Sequence, residues 1–98
     1  MYAIVWTYTV RPDRVDAFAE AYGPNGPWAQ LFATAEGYLG TELLQSDEQP
    51  DDFITIDRWD SRDAFVAFMG GGAEAYQELE RRFGGMCIME NRLGAFEA

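Results

Sequence analysis

The chain has 98 residues, the size of one domain spanning residues 1–98, and carries 17 acidic against 7 basic side chains for a net charge of −10. All seven basic residues are arginines and form no patch able to neutralise several phosphates, so nucleic acid is excluded as a partner and an anionic membrane surface repels the chain. Histidine is absent, which removes histidine-based catalysis, metal ligation and haem ligation; an apolar content of 48% with 15% aromatics removes disorder.

Tyr2 to Val10 alternates large and small residues, with β-branched and aromatic types throughout, and predicts a strand. The same segment lacks the charged n-region and long apolar core of a signal peptide, and no run approaches the ~20 apolar residues of a membrane span. A cytoplasmic, reduced setting is expected, with Cys87 the lone cysteine and a small buried hydrophobe. Pro12 and Asp13 are helix-start signals, and Val15, Phe18, Ala19 and Tyr22 then make a helical stripe. GPNGP breaks that helix; Trp28, Leu31 and Phe32 resume it, and Gly37 is placed to end it.

Tyr38 to Gln45 reads as a second strand, the polar SDEQPDD as a loop between antiparallel neighbours, and Phe53 to Trp59 as a third strand. Asp60 or Ser61 caps the next helix, which carries Phe65, Phe68 and Met69. The GGG at 70–72 interrupts it before Tyr76, Leu79 and Phe83 continue; it lacks the Lys-Ser/Thr ending of a phosphate loop. Glu78 and Arg82 are spaced for an i, i+4 pair. Cys87 to Phe96 completes a β-α-β-β-α-β order, the ferredoxin-like α+β arrangement with a four-stranded antiparallel sheet.

In such a fold the helices cover one sheet face. The small face of the first strand (Ala3, Val5) and the Ile54/Ile56 face of the third are expected to take that packing. The opposite face then presents Tyr2, Ile4, Trp6 and Tyr8 beside Phe53, Thr55, Asp57 and Trp59. Left open, that patch exceeds what a monomer tolerates, so a second copy of the sheet is expected to cover it as a two-fold dimer. A carboxylate in a dry core is costly. Asp57 therefore points either to a solvated cleft, where burial would raise its pKa toward a general base's range, or to a structural hydrogen bond with a partner-chain group or Arg92.

The pieces YTVRPDRVDAF, GYLGTELL and TIDRWDSRDAFVAF, with AYQEL after them, resemble the antibiotic biosynthesis monooxygenase family of dimeric α/β-barrel proteins. The resemblance implies a homodimer with a pocket between sheet and helices, and a monooxygenase that oxidises a small phenolic or polycyclic aromatic compound without metal, flavin or other cofactor. Of the family's site residues only Trp59 is matched here; taken with the strand pattern, Asp57 and Trp59 are the expected catalytic residues, with Trp6, Tyr8, Phe53, Thr55 and Phe68 expected against the substrate. The haem-degrading branch needs a histidine where this chain has Phe68 and Met69, and an asparagine where it has Trp6 or Thr7, which speaks against haem degradation. The other reading is a non-catalytic homodimer of the same fold that binds a small ligand or serves as an interaction module.

Overall fold

A computed structural model describes all 98 residues. The elements run β1 (Tyr2–Val10), α1 (Val15–Tyr22), α2 (Pro27–Phe32), β2 (Tyr38–Gln45), β3 (Asp52–Trp59), α3 (Arg62–Gly71), α4 (Ala73–Phe83) and β4 (Cys87–Glu97). Short 3-10 turns at Pro12–Arg14 and Gly84–Met86 lead into α1 and β4. The strands form one antiparallel sheet in the order β2-β3-β1-β4, the ferredoxin-like topology expected from the chain order.

Local chemistry accounts for the boundaries. Ser61 caps α3, its hydroxyl oxygen accepting the Ala64 N–H at 3.1 Å. Gly37 sits at φ +93°, where a Cβ would come 2.7 Å from that of Ala64, so only glycine fits; its carbonyl accepts the Asp60 N–H and ties β2 to the end of β3. The glycine run breaks the helix at Gly72, since Gly70 and Gly71 still belong to α3. On α4, Glu78 pairs with Arg81, one residue short of the expected Arg82; i+3 and i+4 positions are both within reach on a helix, and this pair is exposed.

The two faces of the sheet are exchanged relative to the expectation. Tyr2, Ile4, Tyr8, Phe53, Thr55 and Trp59 are buried, in one core with Phe18 and Tyr22 of α1, Trp28 and Phe32 of α2, Phe68 of α3 and Leu79 of α4. The helices therefore lie on the aromatic face. Ile54, Leu44, Met89 and Phe96 stand at least one-third exposed on the other side, where no helix packs. Volume explains the result: rings on the sheet and rings on the helices mesh in edge and tilted contacts, with Phe18 and Tyr22 stacked at 4.2 Å. The other face, with Ala3, Val5, Thr7 and Thr9 on β1 and isoleucines on β3, offers few rings to mesh with those of the helices.

Candidate functional site

Strand register decides which polar groups meet. On β3, Thr55 and Asp57 face the helices; Trp6 pairs with Thr55 from β1 and Thr41 pairs with Asp57 from β2. On the far side of β1, Glu90 of β4 stands opposite Tyr8. These six side chains form the floor and one wall of a cleft. Tyr22, Trp28 and Phe32 close it from α1 and α2, and Tyr76 and Glu80 from α4. The free volume is about 40 Å³, room for a few water-sized groups. Trp28 and Tyr76 meet edge-on at 4.9 Å where α2 and α4 come together.

A hydroxyl relay holds Asp57. Thr41 Oγ1 donates to Asp57 Oδ1 at 2.6 Å, and because a threonine has one hydroxyl proton, the Tyr38 hydroxyl donates in turn to Thr41. Burial raises the Asp57 pKa to about 6 despite the opposing pull of the Thr41 hydrogen bond. The partner of Asp57 is thus Thr41, and not Arg92 as one reading of the sequence had it. Glu90 is also pushed up, by burial and then by the negative charge of Glu80. Tyr76 is raised to about 12, mainly by burial, and burial likewise drives Tyr8 and Tyr22 well above the usual phenol range. Thr55 Oγ1 makes a long contact, 3.4 Å, to the Tyr8 hydroxyl.

Three buried polar atoms of the lining have no hydrogen-bond partner: the Tyr22 hydroxyl, Trp28 Nε1 and Glu90 Oε1. Trp28 N–H lies near enough to Tyr22 to ease the rise of its pKa slightly, without reaching hydrogen-bond geometry.

Of the side chains anticipated from sequence, the fold brings Asp57, Thr55, Trp6 and Tyr8 together at the cleft. It does not bring Trp59, Phe53 or Phe68 there. Trp59 is completely buried among Phe32, Tyr38, Phe65 and Phe68, and its indole N–H, without a partner, is sealed in that cluster. Phe53 packs on Phe18, and Phe68 on Phe32 and Trp59. Thr41, Glu90, Tyr22, Trp28, Phe32, Tyr76 and Glu80 were not anticipated. The hairpin register signalled Thr41, since residues directly opposite on paired strands share a face.

The family model for antibiotic biosynthesis monooxygenase matches residues 1–81. The chain belongs to this family. Solved structures share the family's fold: a protein of Bordetella bronchiseptica provisionally named as an antibiotic biosynthesis monooxygenase superposes with a TM-score of 0.75 at 21% identity, covering 99% of this chain and 95% of that one. SnoaB of Streptomyces nogalater, a cofactor-independent oxygenase, has a TM-score of 0.71 at 20% identity, with 99% and 91% covered. A protein of Natronomonas pharaonis provisionally named as heme-binding is 30% identical over 66 residues. That match takes in 67% of this chain and 10% of the relative, so the chain spans about a tenth of that protein's length.

The residues of this family member do not fit haem. No histidine exists to ligate iron. Burial holds the cleft tyrosines in the neutral phenol form, which opposes phenolate ligation. Asp57, Glu80 and Glu90 would face haem propionates with like charge in a space of about 40 Å³.

Proposed function

We propose that this protein is a cofactor-independent monooxygenase acting on a small phenolic aromatic compound, as a homodimer in the cytoplasm, with one domain over residues 1–98. The observation that carries the reading is Asp57: a carboxyl with its pKa raised to about 6, held by the Thr41–Tyr38 relay and facing an aromatic cleft. A general base works best when its pKa lies near the working pH.

In this mechanism the Asp57 carboxylate takes the hydroxyl proton of an electron-rich phenol. The phenolate passes an electron to O2, and the two radicals join at a ring carbon that bears hydrogen. Asp57 returns its proton to the peroxide. The hydroperoxide then loses water, one oxygen remaining as the new carbonyl and the other leaving with the carbon-bound hydrogen. O2 is the oxidant and the substrate the only reductant, so the balance closes without a further reactant. Trp6 and Tyr8, parallel at 6.3 Å, offer ring faces to the substrate. Trp59 and Phe68 act from the core by holding the end of β3 against α3. A polycyclic substrate does not fit 40 Å³, and its entry parts the Trp28–Tyr76 contact.

Oxygen uptake with an electron-rich phenol such as 3,5-dimethoxyphenol is the test. Uptake by the wild type rises with pH through about 6, as Asp57 ionises, and Asp57→Asn lowers it at least ~100-fold. Equal uptake by the two proteins removes Asp57 from the mechanism. A ligand-binding dimer without turnover is the second reading, favoured by the fact that Thr41 already engages Asp57 Oδ1. Binding of the phenol by both proteins, with no uptake by either, selects it.

A further inference from the structure

We infer that the cleft takes an aromatic ligand bearing a protonated amine, bound through the carboxylate of Glu90 and the Tyr22 hydroxyl, with Glu80 nearby. The inference rests on the cleft being the ligand site, as proposed above, and adds the class of ligand.

The first ground is charge. Three carboxylates line the cleft and no arginine does. Arg92 stands opposite Trp6 on β4, exposed beside the cleft, and pulls only weakly on Tyr76, behind the larger influences of burial and of Glu80, Asp57 and Glu90. An anionic ligand is repelled, and a neutral phenol leaves that negative charge uncompensated. The second ground is unmet bonding. Glu90 Oε1 is buried without a donor, and the Tyr22 hydroxyl, in a side chain only 6% exposed, has no partner either. An ammonium brings three donors, enough for a carboxylate and a hydroxyl at once.

The walls supply the third ground. Tyrosine and tryptophan faces attract cations, tryptophan most strongly, and Trp6, Trp28 and Tyr22 all line this space. A metal ion is a poorer match, because no three carboxylates or other ligand side chains here stand close enough to share one. The 40 Å³ available has room for an ammonium head, and entry of the ring parts Trp28 and Tyr76.

Calorimetric titration with tyramine, 4-ethylphenol and 4-hydroxyphenylpropionate, alike in their phenol and differing in charge, tests the inference. Tyramine is expected to bind at least ~10-fold tighter than neutral 4-ethylphenol, with the carboxylate analogue weakest, each tenfold being ~1.4 kcal/mol. Glu90→Gln should erase most of the preference for tyramine over 4-ethylphenol. Glu80→Gln, on an exposed position that the core does not need, should reduce the preference in the same direction. Equal affinity for tyramine and 4-ethylphenol overturns the amine class alone and leaves the phenolic reading standing. Failure of all three probes to bind overturns both.

Discussion

Asp57 sets two properties of the protein against each other. Its folded-state pKa of about 6 lies above the ordinary 3.8, so folding favours the protonated form. The stabilising contribution of the acid is complete below about pH 4 and is lost as pH rises through about 6. At pH 7 the ionised side chain costs at most ~3 kcal/mol, and ~1–2 kcal/mol after allowing for its partial exposure. Asparagine cannot ionise and keeps an oxygen for Thr41 to bond. Asp57→Asn is therefore expected to be ~1–2 kcal/mol more stable than wild type at pH 7 in urea unfolding, with the advantage gone by pH 4. A less stable variant at pH 7 would mean that the carboxylate is a structural anchor. The sequence placed Asp57, Thr55, Trp6 and Tyr8 on one face because alternation along a strand is strict. It could not show Glu90 joining them, because that depends on the pairing of β1 with β4 and on a bulge between Val5 and Trp6 that resets the β4 register.

Elements were more legible than the contacts between them. β1 and α1 fall where the residue pattern puts them, because a strand's alternation and a helix's 3.6-residue stripe are local properties. The glycines between α3 and α4 were read as one break, yet they divide. Gly71 ends α3 with open space around it, whereas a Cβ on Gly72 would lie 3.0 Å from the Phe68 carbonyl oxygen and 3.2 Å from its ring. Neither glycine needs a positive φ. Opposite signs are therefore expected for the same substitution at adjacent positions. Gly71→Ala should stabilise by ~0.5–1 kcal/mol through lower unfolded-state entropy. Gly72→Ala should destabilise by ~1 kcal/mol or more through crowding of Phe68. Thermal unfolding of the two variants decides it, and stabilisation by both would show that Phe68 yields freely.

At the scale of the whole molecule, the sequence raised the right question about the sheet and the wrong side answered it. Both faces are apolar enough to be buried, one with aromatic rings and the other with Val5, Ile54, Ile56, Leu44 and Phe96. Periodicity separates two faces but does not say which one the chain's own helices take. That choice depends on the summed volume of side chains from every element. The need for a cover passes to the opposite face. Ile54 is 36% exposed, Leu44 47%, Phe96 52% and Met89 61%, on a sheet whose other side is already filled. A second copy laid against this face by a two-fold axis would bury it and leave each cleft to its own chain, since the cleft lies on the helix side. Native mass spectrometry at micromolar concentration is expected to give a dimer for the wild type and a monomer for Ile54→Asp. The charge would be forced into the covered face in the dimer but stay hydrated in the monomer. Because Ile54 points away from the cleft, the monomeric variant should bind cleft ligands with wild-type affinity. A wild type that is already monomeric would refute the pairing while leaving the cleft untouched. A dimeric wild type whose Ile54→Asp form stays dimeric would move the interface to another surface.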